Sequence, residues 1–501
     1  MEGPSQLQTI VATIFHEFSF LAGSILLLSL PMSAQELPQG TVLEARMSGA
    51  TGSRISHRGD PIEATIIAPV SVHGRILVPQ GSKLFGSVRS ATAIGLGLKH
   101  STASIRYGFD ALLLPGRAAI PVDAQLIEID TAKEHVDDLG TVYGIHPIVS
   151  LSSGVAYCAV PLLLADPTIG IPIWGVKSVI APSANPEIRF PTGTELILRL
   201  STAVTLPESN TDFRIPAESF SPGDLNEIDQ LLKSSAQRAQ MGGRPSDIVN
   251  VLLIGSRNQL DRAFHASGWA QAQRKSPISL YRMYLALAKR YGYPSAPMNA
   301  LTLNGVPSAF VQQKGLDTVQ KRHHVRIWQH PQRANVWLGA AAEDVGFRFK
   351  LTHWTHSTDS HIDSERAKVV NDLAFVGCVN AAGLLSRTSA DLVQDPKAEY
   401  PILTDGNIAV VRLSDCIDPN LMAGVVATSD VHQRGRMVRA LTAFRDDLVR
   451  SNIVFTTYNT IKLLGKHKAE PTTSHTRLAN GELRGLDWLT PVATLQSRPS
   501  Q

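Results

Sequence analysis

The chain is poor in the residues that announce a chemistry most directly. Three of its 501 residues are cysteine, Cys158, Cys378 and Cys416. They are far apart and lack metal-site spacing. At most one internal disulfide is available, so cysteine usage alone neither demands nor excludes an oxidising compartment. No G-x-S-x-G, Walker A, H-E-x-x-H or C-x-x-C pattern occurs, so no hydrolase, nucleotide-triphosphatase or thiol-redox class is announced by motif. Charge of one sign is also scarce: the formal net charge is +4, a weak bias that does not argue for a nucleic-acid partner. An apolar stretch long enough to span a bilayer, about 20 residues, is missing from the interior. The closest approach is 154–176, where Asp166-Pro167, Pro161 and Pro172 interrupt the run. It reads as a buried core segment, a surface hairpin touching a membrane, or a spanning element. What remains, 43% apolar and 18% charged residues, describes a folded protein too long for one core, so two or three domains are expected.

At the N-terminus, Phe18–Leu30 is apolar and leads into Pro31-Met32-Ser33-Ala34. This has the length and small-residue end of a signal peptide, with cleavage after Ala34. It implies export to the periplasm or cell envelope, with outer-membrane association among the outcomes. No Lys or Arg precedes the run, while Glu2 and Glu17 do, so an uncleaved anchor or a buried helix stays open.

A turn pattern then recurs three times: Leu37-Pro38-Gln39-Gly40-Thr41, Val78-Pro79-Gln80-Gly81-Ser82 and Phe190-Pro191-Thr192-Gly193-Thr194. Proline suits the first central position of a type I turn and glycine its last. Each copy runs on into alternating apolar residues, the pattern of a strand. Residues 37–205 therefore read as an all-β barrel or sandwich. On these turn-strand motifs the region resembles the β-barrel domain of TrbI-type conjugation proteins, subunits of type IV secretion channels. That resemblance implies envelope or secretion proteins as partners.

Residues 206–246 read as a polar linker with one helix over 224–240. From 247 the pattern changes. A buried strand at 247–254 is followed by a helix that Ser256 and Gln259 cap reciprocally. A second helix over 278–291 carries Leu280, Met283, Tyr284, Leu287 and Tyr291 as one stripe, which reads as core packing. Successive strands follow to 351, then a helix over 363–376 whose acidic start, Asp363 and Glu365, suits the helix dipole. A strand at 408–413, a helix at 435–452 and a strand at 453–458 complete the series. The order predicts an α+β domain with a mostly antiparallel sheet over 247–465, and a loose polar tail over 466–501. The fold class is thus multidomain: an N-terminal all-β barrel or sandwich followed by an α+β domain.

The densest chemistry lies between His323 and Arg366, which holds six of the chain's sixteen histidines. Arg322, His323, His324, Arg326 and Arg366 form a candidate site for an anionic ligand, since Arg forks suit carboxylate and phosphate. In an extended strand His324 and Arg326 share one face, and His323 and Val325 the other. His353, His356, His361 and Asp363 form a candidate divalent-metal set, with donors suited to Zn²⁺, Fe or Mn²⁺. It requires a turn to bring His353 and His356 together. The third reading is structural: Asp344, Asp363 and Glu365 pair with Arg322, Arg326 and Arg366 to hold sheet against helix.

Several motifs in one order carry a second resemblance: Ile254-Gly255-Ser256-Arg257, Ala266-Ser267-Gly268-Trp269, Arg322–Trp328, Val336–Ala341 and His361–Arg366. Over 247–377 and beyond, the chain resembles the LssY-like C-terminal domain family. The resemblance implies association with bacterial secretion loci and supplies no catalytic residue. Three functions are carried forward: an envelope protein with a binding or assembly role, a metal-assisted hydrolase, and an anionic-ligand-binding module.

Overall fold

A computed structural model describes residues 35–95, 99–100, 102–131, 133–145, 184–207, 220–315, 321–350, 353–387 and 402–416, with isolated positions between 168 and 176. The side chains of 347–350 and 353–357 lie outside that description. So do the expected leader over 1–34, nearly all of 154–176, the elements expected at 435–458 and the tail.

The N-terminal half is a closed barrel of six antiparallel strands: β1 (Val42–Met47), β2 (Pro61–Ile66), β3 (Lys83–Thr92), β4 (Ser104–Leu113), β5 (Ala119–Ile129) and β6 (Glu195–Leu200). They pair in the order β4-β3-β2-β1-β6-β5, and β5 returns to β4. Alternation fills the interior: Leu43, Ala64, Leu84, Phe109, Leu126 and Leu198 are all buried in one core.

The recurring turn explains how strands enter this barrel, and it corrects the expected turn type. The amides of Thr41, Ser82 and Thr194 donate to the carbonyls of Pro38, Pro79 and Pro191. Proline is therefore the first residue of each turn and glycine the third. Gly40, Gly81 and Gly193 have φ of +89°, +85° and +89°, which type II geometry needs at that position and a side chain would resist. The hydroxyl after the glycine donates to the same carbonyl at 2.6, 2.7 and 2.8 Å.

The second half is built on an eight-stranded sheet. We number β7 (Arg238–Met241), β8 (Arg244–Ile248), β9 (Val251–Ile254), β10 (Ala270–Gln271), β11 (Thr302–Leu303), β12 (Val306–Pro307), β13 (Phe310–Gly315), β14 (Lys321–His330), β15 (Arg333–Lys350), β16 (His353–Thr358), β17 (Val379–Ser386) and β18 (Asn407–Leu413). The helices are α1 (Pro222–Lys233), α2 (Arg257–Ala266), α3 (Pro277–Lys289) and α4 (Ile362–Phe375). The main sheet runs β10-β13-β14-β15-β9-β18-β17, with β16 on β15. Every pairing is antiparallel except β9 with β18. One face packs against α2 and α4 through Val325, Ile327, Trp337 and Val411. The other packs against α1 and the small β8-β7-β11-β12 sheet through Trp328, Leu338 and Val410.

Two expectations need correction. The helix expected over 224–240 stops at Lys233. The hydroxyls of Ser234 and Ser235 donate back to the Leu231 carbonyl, and Gly242 and Gly243, both at positive φ, turn a hairpin instead. The stripe on α3 is core only in part: Met283 and Leu287 pack against Ala286 and Ala296, whereas Leu280 is 44% and Tyr291 41% exposed, and Ser279 and Ala286 are the fully buried positions. The expected cap on α2 is present, with Ser256 and Gln259 bonding reciprocally.

Candidate functional site

Helix α4 carries the site. It is wedged between the main sheet and the barrel, and 12 of its 14 residues are buried, Glu365, Arg366, Lys368, Asn371 and Asp372 among them. A helix covered on every side normally carries apolar residues all round. Here the charged ones are tolerated because each meets a partner of opposite charge.

On the barrel side Glu195, at the start of β6, receives Arg46 from β1 at 2.7 Å, Lys314 from β13 at 2.9 Å and Lys368 from α4. Asp372, one turn beyond Lys368, receives Lys314 at 2.7 Å and the Trp269 indole at 2.9 Å. Burial alone would raise both carboxyls, but Lys314 and Lys368 hold them below the usual range. The Lys314 ammonium stays lowered, because burial outweighs Asp372 and Glu195.

Beside this cluster, His323 of β14 is 1% exposed. Its Nδ1 lies 2.8 Å from Glu365 and its Nε2 3.3 Å from Asp130, which follows β5. Burial pushes the imidazole down, but Glu365 and Asp130 more than reverse that and raise its pKa to about 10. His323 is therefore an imidazolium that donates from both nitrogens. Glu195, Asp372, Asp130 and Glu365 thus face Arg46, Lys314, Lys368 and His323 across the seam. Ile67 of the barrel inserts into the core of the second half, and Gln80, from the second of the recurring turns, donates to the Asn371 carbonyl of α4 at 3.0 Å. A small cleft beside the seam is lined by Glu44, Glu128, Asp130 and Glu195.

The residues singled out in the sequence are distributed over three places. The alternation of β14 holds: His323 faces α4 and the barrel, while Arg322, His324 and Arg326 face the opposite side of the sheet. There Arg322 donates to Asp344 at 2.8 Å, and Arg326 donates to Asp247 and, at 2.7 Å, to His324 Nε2. Arg326 beside Asp247 holds that carboxyl low against the effect of burial. Arg366 lies elsewhere, bonded to Asp363 at 3.0 Å and to both oxygens of Asp405 at 2.8 and 2.7 Å. Asp363 also receives Thr404 and the Asp405 amide; burial leaves its pKa raised. His361 stands at the start of α4, its Nδ1 3.4 Å from Asp359. His353 and His356 are on β16, with side chains outside the described residues.

A different donor group is assembled: ligand atoms of His323, Glu343 and Glu365 lie within 4.8 Å of one another. Sequence reading missed Arg46, Asp130, Glu195, Lys314, Glu343, Lys368 and Asp372. The one local signal was the pair Lys368 and Asp372, four apart on one face of the helix.

Comparison with known proteins agrees with the second half. Residues 230–408 match the family model described as LssY C-terminus. The match runs from the end of α1 through β17 to the first residues of β18 and includes α4. Among solved structures, ComB10 of the Com type IV secretion system of Helicobacter pylori is similar at 14% identity, over 36% of this chain and 94% of that one, with a TM-score of 0.21. A likeness that slight carries no argument about function. No curated protein matches the chain.

Proposed function

We propose that this chain is an exported cell-envelope protein with a binding or assembly role, acting with its barrel and LssY-like domain docked as one unit. The observation that supports it most is the seam: buried groups of opposite charge pair across two domains, as in a scaffold. Export is supported separately by the disulfide Cys378–Cys416, which ties the exit of α4 to the end of β18. Such bonds persist in oxidising compartments. Among the described residues no helix is long and apolar enough to cross a membrane. The partners this reading implies are other envelope or secretion proteins. Fractionation of cells expressing the chain with and without residues 1–34, combined with thiol alkylation, tests it. Envelope recovery with Cys378 and Cys416 protected until reduction is expected. A cytoplasmic product with all three thiols reactive would overturn it.

A second reading, a divalent-metal centre, rests on the His323, Glu343 and Glu365 donors. Nδ1 of His323 would have to give up its proton to a metal, so affinity would rise with pH. This set is separate from His353, His356, His361 and Asp363, which stand as the basis of the hydrolase alternative. The Arg322, His324 and Arg326 face stands as the basis of the anionic-ligand alternative. Elemental analysis of gently purified protein decides the metal. A content below about a tenth of an equivalent, too little to stabilise the fold by mass action, sinks both metal versions.

A further inference from the structure

Helix α3 has several of its large apolar groups on the outside. The positions it buries are small: Ser279 at 2% and Ala286 at 0% exposure. Ala286 packs on Ala296, with Met283, Leu287 and Tyr293 partly covered beside it. The solvent side carries Ile278, Leu280 and Tyr281, which are 66%, 44% and 51% exposed. The Tyr281 and Tyr284 rings stack with centroids 6.4 Å apart. At roughly 100° per residue, Leu280, Tyr284, Tyr281 and Ile278 fill one arc opposite Ser279 and Ala286. Arg282 and Lys289, both exposed, stand at the edge of that arc.

The surrounding sequence is as one-sided as the helix. From Arg262 to Leu316 there are seven Lys and Arg and no Asp or Glu; of the seven, Lys314 is taken by the seam and Arg262 pairs with Asp415. A contiguous exposed apolar face marks a contact surface. Tyrosines at its centre and cations at its margin fit a lipid headgroup layer, where rings sit at the interface and Lys or Arg meet phosphate. A protein partner would be met with a rim of mixed polarity; a stretch without a single carboxylate favours a continuous anionic surface. We propose that α3 docks the protein on an anionic bilayer, laying Ile278, Tyr281 and Tyr284 into the headgroup layer with Arg282 and Lys289 on the lipid phosphates.

Co-sedimentation of the full chain with vesicles tests this, comparing phosphatidylglycerol/phosphatidylethanolamine with phosphatidylcholine alone. The apolar run at 18–30 can bind lipid by itself, so the readout is the difference between parent and α3 variants. Preference for the anionic vesicles is expected, weakening as salt is raised. Ile278→Glu with Tyr281→Glu, and separately Arg282→Glu with Lys289→Glu, are each expected to lower the partition coefficient by about tenfold or more. Because all four side chains are exposed, the circular dichroism and melting of each variant should match the parent. Two outcomes overturn the proposal. One is parent-like binding to anionic vesicles by both variants. The other is loss of a dimer in sedimentation with vesicle binding unchanged, which would make the face a contact between copies.

Discussion

Helices α3 and α4 are nearly equal in length, 13 and 14 residues, and they invert each other. α4 buries Glu365, Arg366, Lys368, Asn371 and Asp372; α3 exposes Ile278, Leu280 and Tyr281. Neither outcome follows from the helix's own pattern. α4 is covered on both sides, by sheet and by barrel, and its charges stay because Glu195, Asp130, His323, Lys314 and Asp405 neutralise them. α3 is covered on one side only, by a site that accepts Ser279 and Ala286. What packs on a helix, and with which charge, decides which of its residues are inside.

The comparison can be broken most forcefully at Glu195. Glu195→Ala leaves Arg46, Lys314 and Lys368 buried without their shared anion. It is expected to cost about 3–5 kcal/mol of stability, read from urea unfolding; a change below about 1 kcal/mol would mean that the seam is solvated. Next comes the covalent tie at the exit of α4. Replacing Cys378 and Cys416 together with serine is expected to cost about 2–4 kcal/mol, measured the same way.

A third test is pH. The imidazole of His323 is raised to about 10 in the fold, against about 6.5 in an unfolded chain. Below the lower value both states hold the proton and the stabilisation is complete. As pH climbs toward 10 only the folded state holds it, so stability falls by at most about 1.4 kcal/mol per pH unit. Urea midpoints at neutral and alkaline pH should show this slope, and His323→Gln should flatten it. The smallest effect belongs to α3: Tyr281→Ser is expected to change stability by no more than about 0.5 kcal/mol. A larger loss would place that ring in the core after all.

Much of the local structure was legible. The alternation of β14 put His323 on one face and His324 with Arg326 on the other. Ser256 and Gln259 announced the start of α2, and the Pro-x-Gly turns announced barrel strands, although the position of proline within the turn needed the backbone. The period of α3 was legible and its orientation was not, because a helical stripe says which residues share a side without saying what lies against it. The seam was illegible for another reason. Lys314 meets Glu195 across 119 residues, and His323 meets Asp130 across 193. No window of sequence contains both partners, so His323 could only be grouped with its neighbours in the chain.

Those separations have a kinetic consequence. The barrel strands mostly pair with near neighbours in the chain, whereas the contact between Gln80 and α4 closes a loop of 291 residues. Closing long loops is entropically costly, and non-local contacts are the slow ones. Refolding is therefore expected to proceed in two stages, with each half acquiring its sheet first and the halves zipping together last. In the interval α4 would show its charged flank to water, and the rate of the final step would fall as salt screens the opposite charges that guide it.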